Sequence, residues 1–77
     1  MESVKVDLTK DEALVLFEWL ARNDAASGQL VIEDESERNV LWVLEGLLER
    51  LLVEPLRVDY KERLAEARAK VLASPAR

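Results

Sequence analysis

The hydrophobic positions of this chain follow two different periods. Val4, Val6 and Leu8 alternate with polar residues, and this period of two predicts a short, half-buried strand over residues 4–8. Further along the chain, apolar residues recur every three or four positions, which is typical of amphipathic helices. A short apolar run over residues 30–32 leaves open a second, very short strand. The pattern predicts a mainly α fold, with three helices preceded by the N-terminal strand.

Each predicted helix begins at a capping signal, in which Thr or Asp is followed three residues later by Glu. The three pairs are Thr9 with Glu12, Asp34 with Glu37, and Asp59 with Glu62. We expect helix A over about residues 10–23, helix B over about 35–53 and helix C over about 59–73. Pro55 ends helix B because proline lacks the backbone donor that a helix requires. Residues 74–77 are expected to form a frayed tail.

Length and composition limit the kinds of chemistry that are available. The 77 residues predict a single domain over residues 1–77. The sequence contains no Cys and no His, so disulfides, thiolate sites and imidazole catalysis are excluded. The net charge of −5 disfavours nucleic acid and anionic membranes, since both select clustered Lys and Arg.

The cellular setting is predicted from two further features of the sequence. The N-terminus lacks the basic and apolar regions of a signal peptide, which indicates the cytoplasm. The longest apolar run, residues 40–44, is far shorter than the roughly 20 residues that span a bilayer. Because small chains without disulfides or metals often gain stability by association, we expect a homodimer.

Helix B is predicted to have one main apolar face. Its apolar residues share one broad face, which holds Val40, Leu41, Val43, Leu44, Leu47, Leu48, Leu51 and Leu52. Trp42 lies on the opposite side of helix B, and Trp19 lies with Val15 on the polar side of helix A. Both tryptophans therefore lie outside the main apolar face of their own helix.

Two interpretations of these tryptophans stay open. In the first, another element of the same chain covers them, because a small domain needs its large aromatic residues in its own core. In the second, they belong to an interface, where Trp is enriched. Glycine in a helix costs about 1 kcal/mol relative to alanine, so a closely packed partner helix would explain Gly46. The candidate interface consists of Val15, Trp19, Trp42, Gly46 and Val53.

Catalysis and cofactor binding are not predicted. The acidic run over residues 33–37 could hold a hard cation such as Mg²⁺, but acids at a helix start are explained by the helix dipole. No nucleophile motif or phosphate-binding glycine loop is present. Charged pairs four residues apart, such as Arg50 with Glu54, are expected to support the helices. We expect no cofactor and no metal, and a carboxylate metal-dependent enzyme is the least favoured alternative.

A strand followed by two helices resembles the ribbon-helix-helix repressors and antitoxins. This resemblance implies that a dimer pairs its N-terminal strands and reads the DNA major groove with Ser3, Lys5 and Asp7. Asp7 would then face phosphates, and the connection over residues 29–35 is longer than the short turn of that family. A DNA-binding regulator of this type is therefore an alternative to the leading hypothesis.

The chain also resembles a set of short uncharacterised bacterial proteins over about residues 4–72. The segments that carry this resemblance are residues 8–18, residues 33–34 with 37–38, residues 40–42 and residues 52–55. It implies a stand-alone protein and no particular site. From size and acidity, the leading hypothesis is non-catalytic protein–protein interaction, either as an adaptor or as an antitoxin- or immunity-like neutraliser of a larger protein.

Overall fold

The computed structural model describes residues 2–23 and 31–74. Within these residues the chain forms three α-helices and one 3₁₀ turn. In chain order these are α1 (Lys10–Arg22), α2 (Glu35–Leu51), the 3₁₀ turn (Glu54–Leu56) and α3 (Tyr60–Ala73). The prediction of a mainly α, three-helix fold is confirmed. The end of the predicted tail, residues 75–77, lies outside the described residues.

The predicted N-terminal strand is wrong. Residues 4–8 form no strand, and Val4 and Val6 are 91% and 75% exposed. A strand needs a neighbouring strand to take up its backbone hydrogen bonds, and the described part of the chain offers none. Residues 31–32 form no strand either, and residue 30 of that predicted run lies outside the described residues.

The starts of α1 and α2 are fixed by local hydrogen bonds. At α1, Thr9 Oγ1 accepts a hydrogen bond from the Glu12 amide at 3.1 Å, and Glu12 Oε1 accepts one from the Thr9 amide at 2.9 Å. At α2, a carboxylate oxygen of Asp34 accepts a hydrogen bond from the Ser36 amide at 2.8 Å. Hydrogen bonds from the Ser36 side chain and, second, from this amide lower the pKa of Asp34. Both helices therefore begin with a capping box.

Asp59 occupies the N-cap position of α3 as predicted, but the predicted side-chain capping bond does not form. The carboxylate of Asp59 instead accepts hydrogen bonds from Arg57 at 2.9 Å and Arg63 at 3.2 Å. Two guanidinium groups are stronger donors than one backbone amide, and the nearer of them, that of Arg57, lowers the pKa of Asp59.

The core lies between α1 and the two helices that follow it in sequence. α1 packs against both α2 and α3, and its contact with α3 is the more extensive. The buried hydrophobic residues of the described chain are Leu14, Leu20, Leu48, Leu52, Leu64 and Ala67. This small core leaves much of the apolar surface of α2 to be accounted for.

Candidate functional site

α2 carries apolar residues around about half of its circumference, at roughly 100° per residue. One side of this arc belongs to the core, since Leu48 is buried and Leu41 and Leu44 pack against the buried cluster. The other side faces solvent. We call it the α2 stripe, which consists of Val40 (64% exposed), Val43 (62%), Leu47 (47%) and Leu51 (77%).

The α2 stripe is uncovered because α2 has too few neighbours in the described structure. α2 packs against α1 and makes little contact with α3, and a helix that packs on one side buries an arc of only about 100°. The sequence pattern places the α2 stripe and the core residues of α2 on one continuous apolar face, and the structure divides this face into a buried part and an exposed part. The width of the apolar arc was the signal in the sequence that could have separated the two parts.

One edge of the α2 stripe, the edge that faces away from the core, is lined by polar residues without negative charge. Within α2, the edge that faces away from the core is formed by Ser36, Asn39 and Arg50. The acidic residues Glu45 and Glu49 lie on a different side of the helix, roughly 120° or more from the centre of the stripe. The chain is strongly acidic as a whole, so this edge departs from the rest of the surface.

An apolar groove adjoins the N-terminal end of the α2 stripe. It has a volume of about 390 Å³ and is lined by Val31, Ile32, Ser36, Glu37, Val40 and Leu41. The carboxylate of Glu37 accepts hydrogen bonds from the amides of Glu33 at 2.8 Å and Asp34 at 3.3 Å. These bonds fix the chain that enters α2, and Val31 beside it is 99% exposed. The groove therefore extends the apolar surface of the stripe past the start of the helix.

The predicted interface residues have different environments. Trp19 is 40% exposed, Trp42 49% and Val53 61%, so each presents apolar surface to solvent. Val15 is half-buried and packs against the core cluster. Neither tryptophan belongs to the buried core, and neither is fully exposed. The structure thus leaves both as surface residues with one side covered.

Gly46 has no close neighbour in the described structure. A Cβ atom placed at Gly46 would meet no atom within 4 Å, apart from the backbone of its own helix and its chain neighbours. The close helix packing that would explain this glycine is therefore not provided by the described part of the same chain.

A charged cleft lies at the start of α1, beside the 3₁₀ turn and α3. Its volume is about 260 Å³, and it is lined by Lys10, Asp11, Leu14, Glu54, Arg57, Arg63, Glu66 and Lys70. Glu54 is 9% exposed, and its Oε2 lies 3.0 Å from Lys10 Nζ. The hydrogen bond from Lys10 lowers the pKa of Glu54. The predicted pair with Arg50 is replaced by this bond.

The charged side chains of the cleft are engaged mainly with one another and with Asp59. The four cationic and three acidic side chains of the cleft largely neutralise one another, and Arg57 and Arg63 are engaged with Asp59. Glu54 Oε1 is buried and has no hydrogen-bond partner among the described residues. Lys10 Nζ contacts the other oxygen of this carboxylate, so the pair is a structural contact between α1 and the 3₁₀ turn.

A second polar contact joins α1 to α3. The Tyr60 hydroxyl donates a hydrogen bond to Glu18 Oε1 at 2.8 Å, and Arg22 lies 3.9 Å from the other oxygen of the same carboxylate. Burial raises the pKa of Tyr60 to about 12, and the Glu18 carboxylate adds to the effect because it disfavours a phenolate beside it.

The residues that the DNA-binding and metal-dependent hypotheses require are not brought together in the described structure. Ser3, Lys5 and Asp7 are exposed and belong to no strand, as described above. Within residues 2–23 and 31–74, no group of three acidic side chains is arranged to hold a metal ion.

Comparisons with protein-family models, with curated proteins and with solved structures find no match to this chain. The resemblances described from the sequence therefore stay predictions. None of the helices in the described residues is long and apolar enough to cross a membrane.

Proposed function

We propose that this protein is a non-catalytic, cytoplasmic protein-binding module whose main docking surface is the α2 stripe. The observation that carries this proposal is the exposure of four aliphatic side chains in a row on one helix. Together they present on the order of 400 Å² of apolar surface, which is in the range of the largest patch on a typical monomer and often marks a functional surface. A protein partner gains free energy by covering such a surface.

The role that fits this surface is that of an adaptor, or of an antitoxin- or immunity-like neutraliser, for a larger protein. The net charge of −5 favours a basic partner, because opposite charges steer the encounter and raise the association rate. Trp19 and Trp42 are half-exposed and are available as secondary anchors, since Trp residues often dominate binding energy. This role rests on charge and size together with the exposed apolar surface.

The proposal is tested by affinity capture with matched variants. Tagged wild-type protein is used to capture partners from a lysate of its source, and a recovered protein is then purified and titrated directly. Leu47→Glu places a charge in the α2 stripe, whereas Leu72→Glu makes the same change at an exposed position of α3 (87% exposed). We expect Leu47→Glu to abolish binding and Leu72→Glu to retain it, because a charge desolvated at an apolar contact is costly.

The same titration separates the two classes of candidate surface. Trp19→Ala and Trp42→Ala weaken binding if the tryptophans anchor the partner, and they leave it unchanged if the α2 stripe acts alone. Binding of the purified partner that is equal for wild type and Leu47→Glu would refute the α2 stripe as the docking surface.

A further inference from the structure

We infer that the α2 stripe is the interface of a symmetric homodimer, in which two copies of α2 pack antiparallel. This inference rests on the proposed function, because it names the first partner of the same surface. A larger protein that docks on the α2 stripe would then displace the second copy. Trp19 and Trp42, which are half-exposed, lie outside this interface.

The spacing of the stripe suits pairing with a copy of itself. In a two-fold interface the same patch is used by both subunits. The centre of the stripe lies between Val43 and Leu47, so an antiparallel copy brings Val40 opposite Leu51 and Val43 opposite Leu47. Each contact then joins a short β-branched side chain to a longer leucine, which allows the side chains to interdigitate as packed helices require.

The charges of α2 select the antiparallel orientation. The first turn of α2 contains the acidic residues Glu35 and Glu37, and its last turn contains the basic residue Arg50. An antiparallel pair places the acidic first turn of one helix beside Arg50 of the other, and it also opposes the two helix dipoles favourably. A parallel pair would bring acidic end to acidic end. The outer edge of the stripe, with Ser36, Asn39 and Arg50, lets two chains of net charge −5 approach there without acid-to-acid contact.

The available area is what a small specific dimer needs. The stripe and Val31 together present on the order of 500 Å² per copy, so a dimer would bury roughly 1,000 Å² before any flanking residue contributes, close to the minimum for a specific interface. The groove lined by Val31, Ile32 and Val40 lies at the end of the stripe where Leu51 of the second copy would arrive. This residue is the most exposed of the stripe (77%), and the groove offers it an apolar contact.

The first experiment measures the mass of the protein in solution, by sedimentation or light scattering, from millimolar concentration downwards. We expect twice the mass of one chain at high concentration and dissociation on dilution. Val43→Glu and Leu47→Glu should each raise the dissociation constant by more than about tenfold, and Leu72→Glu should leave it unchanged. Circular dichroism establishes that each variant keeps its helices. A wild-type mass of one chain throughout, or a Leu47→Glu protein that remains dimeric, would overturn the inference.

The orientation is tested with cysteines, which the natural sequence lacks. Separate Val40→Cys and Leu51→Cys proteins are mixed and oxidised gently. The antiparallel dimer predicts a mixed disulfide between the two variants, because the two positions face each other. It predicts little Leu51→Cys homodisulfide, since those sites lie about 16 Å apart along the helix axis, and disulfides require Cα atoms within about 7 Å. A dominant Leu51→Cys homodisulfide, or no disulfide in any mixture, would overturn this arrangement.

The two proposals fail in different ways. If the wild type is a monomer but Leu47→Glu still loses a captured protein, self-association is refuted and protein binding by the α2 stripe stands. If Leu47→Glu changes neither the mass nor the capture, both proposals are refuted.

Discussion

The contact between Tyr60 and Glu18 offers a direct test of how α3 is held against α1. The hydroxyl of Tyr60 donates to Glu18 Oε1 at 2.8 Å across 42 positions of sequence. A hydrogen bond to a charged group contributes about 1.5–3 kcal/mol when it is well shielded. Tyr60 is only partly buried, and Glu18 keeps Arg22 as a second partner. We therefore expect Tyr60→Phe to lower the free energy of unfolding by about 1 kcal/mol.

This loss is measured by urea or thermal unfolding, followed by circular dichroism at one fixed protein concentration. For a chain of this length, 1 kcal/mol corresponds to a change in Tm of roughly 4–8 °C. Glu18→Gln and the double variant complete a double-mutant cycle, which isolates the energy of the pair from the effects of each substitution alone. A coupling energy indistinguishable from zero would show that the bond does not stabilise the α1–α3 contact.

The same bond predicts how stability changes at high pH. The pKa of Tyr60 rises from its ordinary value of 10.0 to about 12 in the folded protein, so the unfolded chain loses its phenolic proton first. The stabilisation is therefore complete below pH 10 and is lost as the pH rises from about 10 to about 12. Tyr60→Phe lacks this loss, and the stability difference between the two proteins should shrink over that range.

The titration itself can be read without ambiguity, because the chain has one tyrosine. The near-ultraviolet absorbance of the phenolate should show a midpoint well above that of the unfolded protein in denaturant. Equal midpoints in the folded and unfolded proteins would refute the burial and the hydrogen bond together.

Three further substitutions test other local contacts by equilibrium unfolding. Gly46→Ala should stabilise the protein by about 0.5–1 kcal/mol, because a Cβ there meets no neighbouring atom; destabilisation, or loss of the dimer mass, would indicate a closely packed partner at Gly46. Lys10→Ala should cost about 1 kcal/mol, because it leaves the Glu54 carboxylate buried without its cation. The pKa of Glu54 is lowered from its ordinary value of 4.5 in the folded protein, so the wild type loses stability as the pH falls below 4.5. Lys10→Ala should lose less stability over this range, and an equal loss in both proteins would contradict the pairing. Thr9→Ala should cost about 1 kcal/mol through loss of the α1 cap, whereas unchanged stability would mean that α1 does not depend on it.

Local signals in the sequence predicted local structure well. The capping boxes at Thr9 and Asp34 form because donor and acceptor lie within three residues, so few other contacts can compete. At Asp59 the side-chain capping bond does not form, because the carboxylate accepts hydrogen bonds from Arg57 and Arg63 instead. A capping pattern predicts that a side chain can accept a hydrogen bond from the helix start, but it does not predict which of several nearby donors binds that side chain.

Signals that depend on a distant partner were less informative. Alternation over residues 4–8 distinguishes two sides of a segment, but a strand also requires a neighbour, and the described chain supplies none there. The pairing of Lys10 with Glu54 joins residues that are far apart in sequence, so no spacing rule could have found it. Likewise, Trp19 and Trp42 stood out by their positions, while their partial exposure depends on how the helices pack.

The α2 stripe shows why an apolar helix face is not by itself evidence of a core. The apolar arc of α2 is wide enough for two neighbours, and the described structure gives it one, α1. Leu48 and the half-buried Leu44 face that neighbour, whereas Val43 and Leu47 occupy the rest of the arc. The exposed aliphatic residues of the α2 stripe lower the solubility of the folded monomer and do not contribute to its core. The arc is explained physically when a second surface packs against it, and a copy of α2 has the spacing and the charges to do so.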